Sequence, residues 1–131
     1  MKARFVDTNI FLEALVRTGT KTDQCLKLLE NPSTDLWTTE LAISEVEWVL
    51  RSTYETPKSQ IVSALKRLVN LRKLSIENHA TVVKAIGLYE KTNADFTDCL
   101  NAIKAASVKI DEAYSYDKDF SKFENLKRLE P

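Results

Sequence analysis

Short runs rich in β-branched and aromatic residues alternate along this chain with longer stretches of helical period, and that alternation restricts its fold more than any other feature. Such an order builds parallel strands covered by helices, so the chain reads as α/β, with a central parallel sheet of four to five strands flanked by helices. Ala3-Arg4-Phe5-Val6, Leu36-Trp37-Thr38, Leu74-Ser75-Ile76 and Ala113-Tyr114-Ser115-Tyr116 are the expected strands, with Leu126 to Leu129 as a short edge strand. Between them, Ile10 to Arg17 predicts a helix that stops before Gly19, and Cys25, Leu28 and Leu29 mark a second that ends at Asn31-Pro32. A third runs from about Leu41 to Thr53. A fourth opens with Thr56 as N-cap and Pro57 in first position, and carries Ile61, Val62, Leu65, Leu68 and Val69 inward, so the two form a helical hairpin. Asn78 is expected to cap a helix with Val82, Val83, Ile86 and Tyr89 inward, and Phe96 to Val108 forms the last long helix.

Residues 1–131 suit one domain, since no linker-like composition divides them. Lysine plus arginine and aspartate plus glutamate both number 19, so no global basic field marks a nucleic-acid partner and any such contact needs a local patch. Cys25 and Cys99 fall inside apolar helical patterns without metal-type or disulfide-type spacing, which predicts two buried free thiols in a reducing compartment. No apolar run approaches the ~20 residues needed to span a bilayer, and the N-terminus has no apolar leader core. A cytoplasmic protein without a membrane partner is expected.

The acids carry the chemistry. Asp7 closes the first strand and Asp117 the fourth, and in an open α/β sheet ligands bind outside the carboxyl ends of strands, so the two can converge across the chain. Converging carboxylates repel unless a cation or proton joins them, which points to a hard divalent metal and to phosphodiester chemistry. On a helical wheel Glu45 falls within an apolar arc of Leu41, Val46, Trp48, Val49 and Leu50, while Ser44, Glu47 and Arg51 occupy the wet face. A carboxylate on an apolar arc is costly unless paired or metal-bound; the bland reading is a solvated glutamate at the core's margin. Asp95 sits where an N-cap belongs and is read first as a cap, whereas Asp98, beside Ala102 and Ala105, is read as a ligand. Asp119 helps Asp117 in a polar loop. Asn9 is expected to cap the first helix, and its side chain and those of Thr8 and Ser115 are suited to orienting water at the site.

Other catalytic devices are absent from the sequence. His79, the only histidine, reads as a surface or capping residue, and Gly19 and Gly87 cannot make a phosphate-cradling loop or a nucleophile elbow. Arg51, Lys66, Arg67, Arg72 and Lys73 form the densest basic run, read as a solvated face with a phosphate contact as the sharper alternative.

Over nearly its whole length the chain resembles PIN-domain ribonucleases, and within them the VapC-type toxins of type II toxin–antitoxin systems. The resemblance rests on Phe5-Val6-Asp7-Thr8-Asn9, on Ser44-Glu45-Val46-Glu47-Trp48-Val49-Leu50 with Tyr54, on Asp95-Phe96-Thr97-Asp98-Cys99-Leu100, and on Ser115-Tyr116-Asp117-Lys118-Asp119-Phe120. It implies a PIN-like fold and an acidic metal site of Asp7, Glu45, Asp98 and Asp117, with Asp95 and Asp119 as accessories. Asp7 and Asp98 would bind metal, with Glu45 and Asp117 acting directly or through water. The resemblance further implies a Mg²⁺- or Mn²⁺-dependent endoribonuclease, usually dimeric and inhibited by a cognate antitoxin, that leaves a 5′-phosphate and a 3′-hydroxyl. The chain departs mildly from the family's pattern at Cys99, at Lys109-Ile110-Asp111 where a glycine is usual, and at Ser115.

Oxygen-only ligands suit Mg²⁺ or Mn²⁺, which lower the pKa of a bound water and stabilise the leaving oxygen. Two readings from other classes compete. A phosphotransferase of the haloacid-dehalogenase kind needs an aspartate two residues after Asp7, where Asn9 stands. A catalytically inactive PIN-like module that binds RNA or a partner is the alternative that remains.

Overall fold

The computed structural model describes residues 2–131, which form six helices, a short 3-10 helix and five strands. The chain divides into two compact units, Met1–His79 and Ala80–Pro131. In the first, β1 (Arg4–Phe5), β2 (Leu36–Thr38) and β3 (Leu74–Ile76) make a parallel sheet in the order β1-β2-β3. Leu36 and Thr38 of β2, like Leu74 and Ile76 of β3, point inward, while Trp37 and Ser75 point outward, as strand alternation requires. The Thr38 hydroxyl donates to the Val6 carbonyl at 2.8 Å and fixes the chain as it leaves β1.

Four helices complete this unit: α1 (Thr8–Val16), α2 (Thr20–Glu30), α3 (Glu40–Ser52) and α4 (Lys58–Val69). Phe11, Ile43, Val46, Leu50, Ile61 and Leu65 are fully buried among them, and α3 packs on both α1 and α4. The expected α3–α4 hairpin is present. Its second helix starts one residue later than expected: Pro57, not Thr56, holds the N-cap position, and its ring leaves the helix without a side-chain cap.

In the second unit, α5 (His79–Lys91) and α6 (Phe96–Ser107) bury Val82, Ile86, Tyr89, Phe96 and Leu100, with the Tyr89 and Phe96 rings edge to face at 5.8 Å. A two-stranded parallel sheet, β4 (Glu112–Tyr114) with β5 (Lys127–Leu129), and a 3-10 helix (Lys118–Lys122) follow. The five strands are therefore split three and two, each group paired in parallel, rather than joined in one sheet.

Several side chains differ from expectation. Cys99 is buried but Cys25 only half so, and Leu28 and Val83 are exposed, each lying at the edge of its helix's apolar stripe where periodicity decides least. Asn78 has φ +54° and turns its amide to Glu40 at 3.1 Å, and the His79 ring meets the Val69 carbonyl at 2.9 Å on the surface. Arg51 and Arg67 of the basic run are held by Glu47 and Glu30. No helix among the described residues is long and apolar enough to cross a membrane.

Lys109 closes α6 in the left-handed region at φ +64°, with the Ile110 N–H bonded to the Ala105 carbonyl at 3.0 Å. Glycine takes this conformation without a Cβ penalty, which accounts for the residue that the resemblance leads one to expect before the fourth strand. Lys109→Gly should raise stability by about 1 kcal/mol. A lower midpoint in urea denaturation would show that the lysine side chain contributes more than its backbone strain costs.

Candidate metal centre

The candidate acids fall into two groups, one in each unit. In the first, Asp7 follows the end of β1 and is the N-cap of α1, its Oδ2 accepting from the Asn9 N–H at 3.4 Å. The cap is thus Asp7 and not Asn9, which lies one residue inside the helix, past the position whose side chain can reach back to the free N–H groups. Thr8 is buried, and its hydroxyl donates to Glu45 Oε2 at 2.9 Å. That bond ties the start of α1 to the middle of α3 and fixes one carboxylate oxygen of Glu45.

The inner face of α3 is rotated from the one expected, keeping Val46 and Leu50 inside but exchanging Leu41 and Trp48 for Ser44 and Glu47. Ala42, Ile43, Ser44, Val46, Glu47 and Leu50 are buried, whereas Leu41 and Trp48 are 66% and 56% exposed and Glu45 is exposed beside them. Glu47 can be buried, at 1% exposure, because Arg51 one turn on donates to its Oε2 at 2.8 Å. Glu45 is therefore an open carboxylate held by Thr8, not an acid in an apolar arc.

In the second unit Asp98, Asp117 and Asp119 each offer a carboxylate oxygen, and these atoms all lie within 4.8 Å of one another. Local structure sets them there. Asp98 is in the first turn of α6; Asp117 caps the 3-10 helix, its Oδ1 accepting from the Asp119 N–H at 2.9 Å; and Ser115 Oγ accepts from the Asp117 N–H at 3.0 Å. Asp117 does not directly follow a strand, since β4 ends at Tyr114 and the Ser115 turn intervenes. Asp95 occupies the N-cap position of α6, but its side chain makes no capping bond there; extended backbone at the cap carries the chain into the helix. Burial, then the charges of Asp117 and Asp95, a hydrogen bond to Asp117 and the charge of Asp119 push the Asp98 carboxyl up to about 6.

The donor set suits a hard cation. An octahedral ion with oxygen ligands at about 2.1 Å spans about 4.2 Å between opposite ligands, so three carboxylates within 4.8 Å need only small side-chain adjustment to share one. Their mutual repulsion, visible in Asp98, would be relieved by such an ion.

A family model for the PIN domain matches residues 4–126. The chain belongs to the PIN domain family. Within the PIN frame, the match runs from β1 through the acid trio and includes Asp7, Glu45, Asp98, Asp117 and Asp119. Among curated proteins, the VapC ribonuclease of Aquifex aeolicus (strain VF5) is 26% identical over 122 residues, covering 91% of this chain and 90% of that relative. Among solved structures, Mycobacterium tuberculosis VapC20, described as a sarcin-ricin loop cleaving toxin, aligns with a TM-score of 0.43 and 17% identity, over 92% of this PIN chain and 94% of VapC20.

Sequence reasoning missed Lys122. It lies on the 3-10 helix with Nζ 2.6 Å from Asp119 Oδ1, three residues on from the acid. That spacing was the available signal.

Proposed function

We propose that this PIN-domain chain is a Mg²⁺- or Mn²⁺-dependent endoribonuclease, the toxin of a toxin–antitoxin pair, and that residues 1–131 act as one domain. The observation that carries the reading is the trio of Asp98, Asp117 and Asp119, with oxygens within 4.8 Å, in a chain that belongs to the PIN family. Its likeness to the Aquifex aeolicus VapC ribonuclease along most of both chains supports RNA as substrate and an antitoxin as partner.

In this reading Asp7 and Asp98 hold the cation, with Glu45 and Asp117 acting directly or through water, and Asp119 and Asp95 are accessories. When bound, the cation makes water a better nucleophile at neutral pH and draws charge from the phosphate. The chain's own residues do the rest. Thr8 orients Glu45, Ser115 fixes the turn that presents Asp117, and the Asp98 carboxyl, pushed up to about 6, holds a proton more readily than an ordinary aspartate when no cation is bound. Asn9 lies beside Asp7 in the first turn, where its amide is suited to contact water or a phosphate oxygen. Attack by water with the 3′-oxygen as leaving group would leave a 5′-phosphate and a 3′-hydroxyl on the RNA fragments. A cytoplasmic location and a homodimer that associates with the antitoxin complete the reading.

The test is RNA cleavage by the purified chain and by Asp7→Asn. Asparagine caps a helix as well as aspartate does, so Asp7→Asn should leave the melting temperature nearly unchanged, while Asp7→Ala loses about 1 kcal/mol of cap. Cleavage should fall by roughly 100-fold or more in both, because the lost charge weakens the cation site. Asp7→Asn cleaving at the wild-type rate would remove Asp7 from the site. Intact RNA with the wild-type chain would leave a binding module.

A further inference from the structure

We infer that Lys122 is a built-in counter-ion of the acidic centre, which holds Asp119 when no divalent cation is bound and must yield that carboxylate when one binds. The inference rests on the metal-dependent reading above and extends it to a residue that reading does not use. Its ground is geometric. Asp119 supplies one of three carboxylate oxygens that lie within 4.8 Å of one another, and the same carboxylate receives the Lys122 ammonium at 2.6 Å. Both residues are on one short 3-10 helix, so the ammonium is tethered to the centre and its effective concentration there is high.

The pair is partly open, with the Lys122 side chain 41% and the Asp119 side chain 30% exposed, and spans only three residues. Exposed pairs of this kind add little to stability, so a purely structural role has little to act on. Their effect on a neighbouring divalent ion is larger. A dication and an ammonium drawn to the same carboxylate repel one another across a few ångströms, and the repulsion scales with the product of their charges. Lysine suits this use better than arginine would, because a compact ammonium on a flexible stem can swing into water, where it is strongly hydrated, and leave the carboxylate free. Lys122 also lines a cavity of about 360 Å³ with Leu88, Ile103 and Phe123.

The consequence is a centre whose cation affinity is set below what its acids alone would give. Isothermal calorimetry with Mn²⁺ alone, at low ionic strength and without RNA, reads this directly on the full chain, on Lys122→Met, and on Asp98→Asn as the site control. Lys122→Met should bind Mn²⁺ roughly threefold to tenfold more tightly than wild type, with the advantage shrinking as salt is raised. Its melting temperature in EDTA should stay within about a degree of wild type, as a surface pair implies. Lys122→Gln should repeat the gain, and Lys122→Arg, which keeps the charge, should not exceed wild type. Equal or weaker Mn²⁺ binding by both neutral variants, with Asp98→Asn abolishing it, overturns the counter-ion role alone. Absence of Mn²⁺ binding in wild type and variants alike overturns the metal centre and the counter-ion role with it.

Discussion

Asp98→Asn should abolish RNA cleavage, by roughly 100-fold or more, while making the cation-free protein no less stable at neutral pH. The second half follows from proton linkage. The folded chain raises the Asp98 carboxyl from 3.8 to about 6, through burial first and the neighbouring acids second, so it binds that proton more tightly than the unfolded chain does. Between about pH 4 and pH 6 the folded state therefore carries the extra proton. The stability this contributes is fully present below pH 4 and is lost as pH rises through 6. Asparagine removes the titration and with it that slope. In EDTA, the melting temperature of Asp98→Asn should match wild type near pH 4 and equal or exceed it at pH 7.5. With Mg²⁺ present the order should reverse at pH 7.5, because only wild type gains the cation, and its binding should weaken below pH 6 as protons compete for Asp98. A melting temperature for Asp98→Asn well below wild type at pH 7.5 in EDTA would mean that the carboxylate stabilises the fold, and would count against a strained acidic centre.

What could be read from the sequence, and what could not, separates along physical lines. Leu36–Thr38 and Leu74–Ile76 match their expected bounds because short alternating runs between turn residues leave a strand little choice of limits. Asp7, Asp98 and Asp117 were legible as acids at element ends, where side chains escape the core. The burial of α3 was not legible. Its sequence offers apolar residues nearly all round, Ile43, Val46 and Leu50 on one side and Leu41 and Trp48 on the other, so period alone cannot choose the inner face. The deciding residue was Arg51, whose pairing with Glu47 at i, i+4 lets an acid go inside. Glu45 was thus picked for a reason the fold does not uphold, and its place beside Asp7 rests on the Thr8 bond instead. The split of five strands into three and two escaped notice because strands of two or three residues carry almost no pairing information. Lys122 was not singled out, because nothing in the sequence but its i, i+3 spacing from Asp119 marks it.

Removal of the divalent cation should have an effect as large as that of losing Asp98, and it separates a working nuclease from a module that only binds. Asp98, Asp117 and Asp119 offer carboxylate oxygens within 4.8 Å of one another, and the Lys122 ammonium lies 2.6 Å from Asp119, so the three acids of the bare centre carry more negative charge than that ammonium offsets. A phosphodiester carries the same sign and cannot approach such a focus closely without a cation between them. In EDTA, cleavage should therefore fall to background, and it should return with Mg²⁺ or Mn²⁺. Ca²⁺ should bind, since it too is a hard ion for oxygen ligands, yet restore little cleavage, because its longer bonds and looser shell hold water and phosphate less firmly. Ca²⁺ should then inhibit in the presence of limiting Mg²⁺, and raising Mg²⁺ should relieve that inhibition. The measurement is the initial rate on a fixed RNA at constant ionic strength, because salt alone weakens contacts to the RNA backbone. Full cleavage in excess EDTA would show that the acids work without a cation, and Ca²⁺ supporting the same rate as Mg²⁺ would show that their spacing does not select among hard ions.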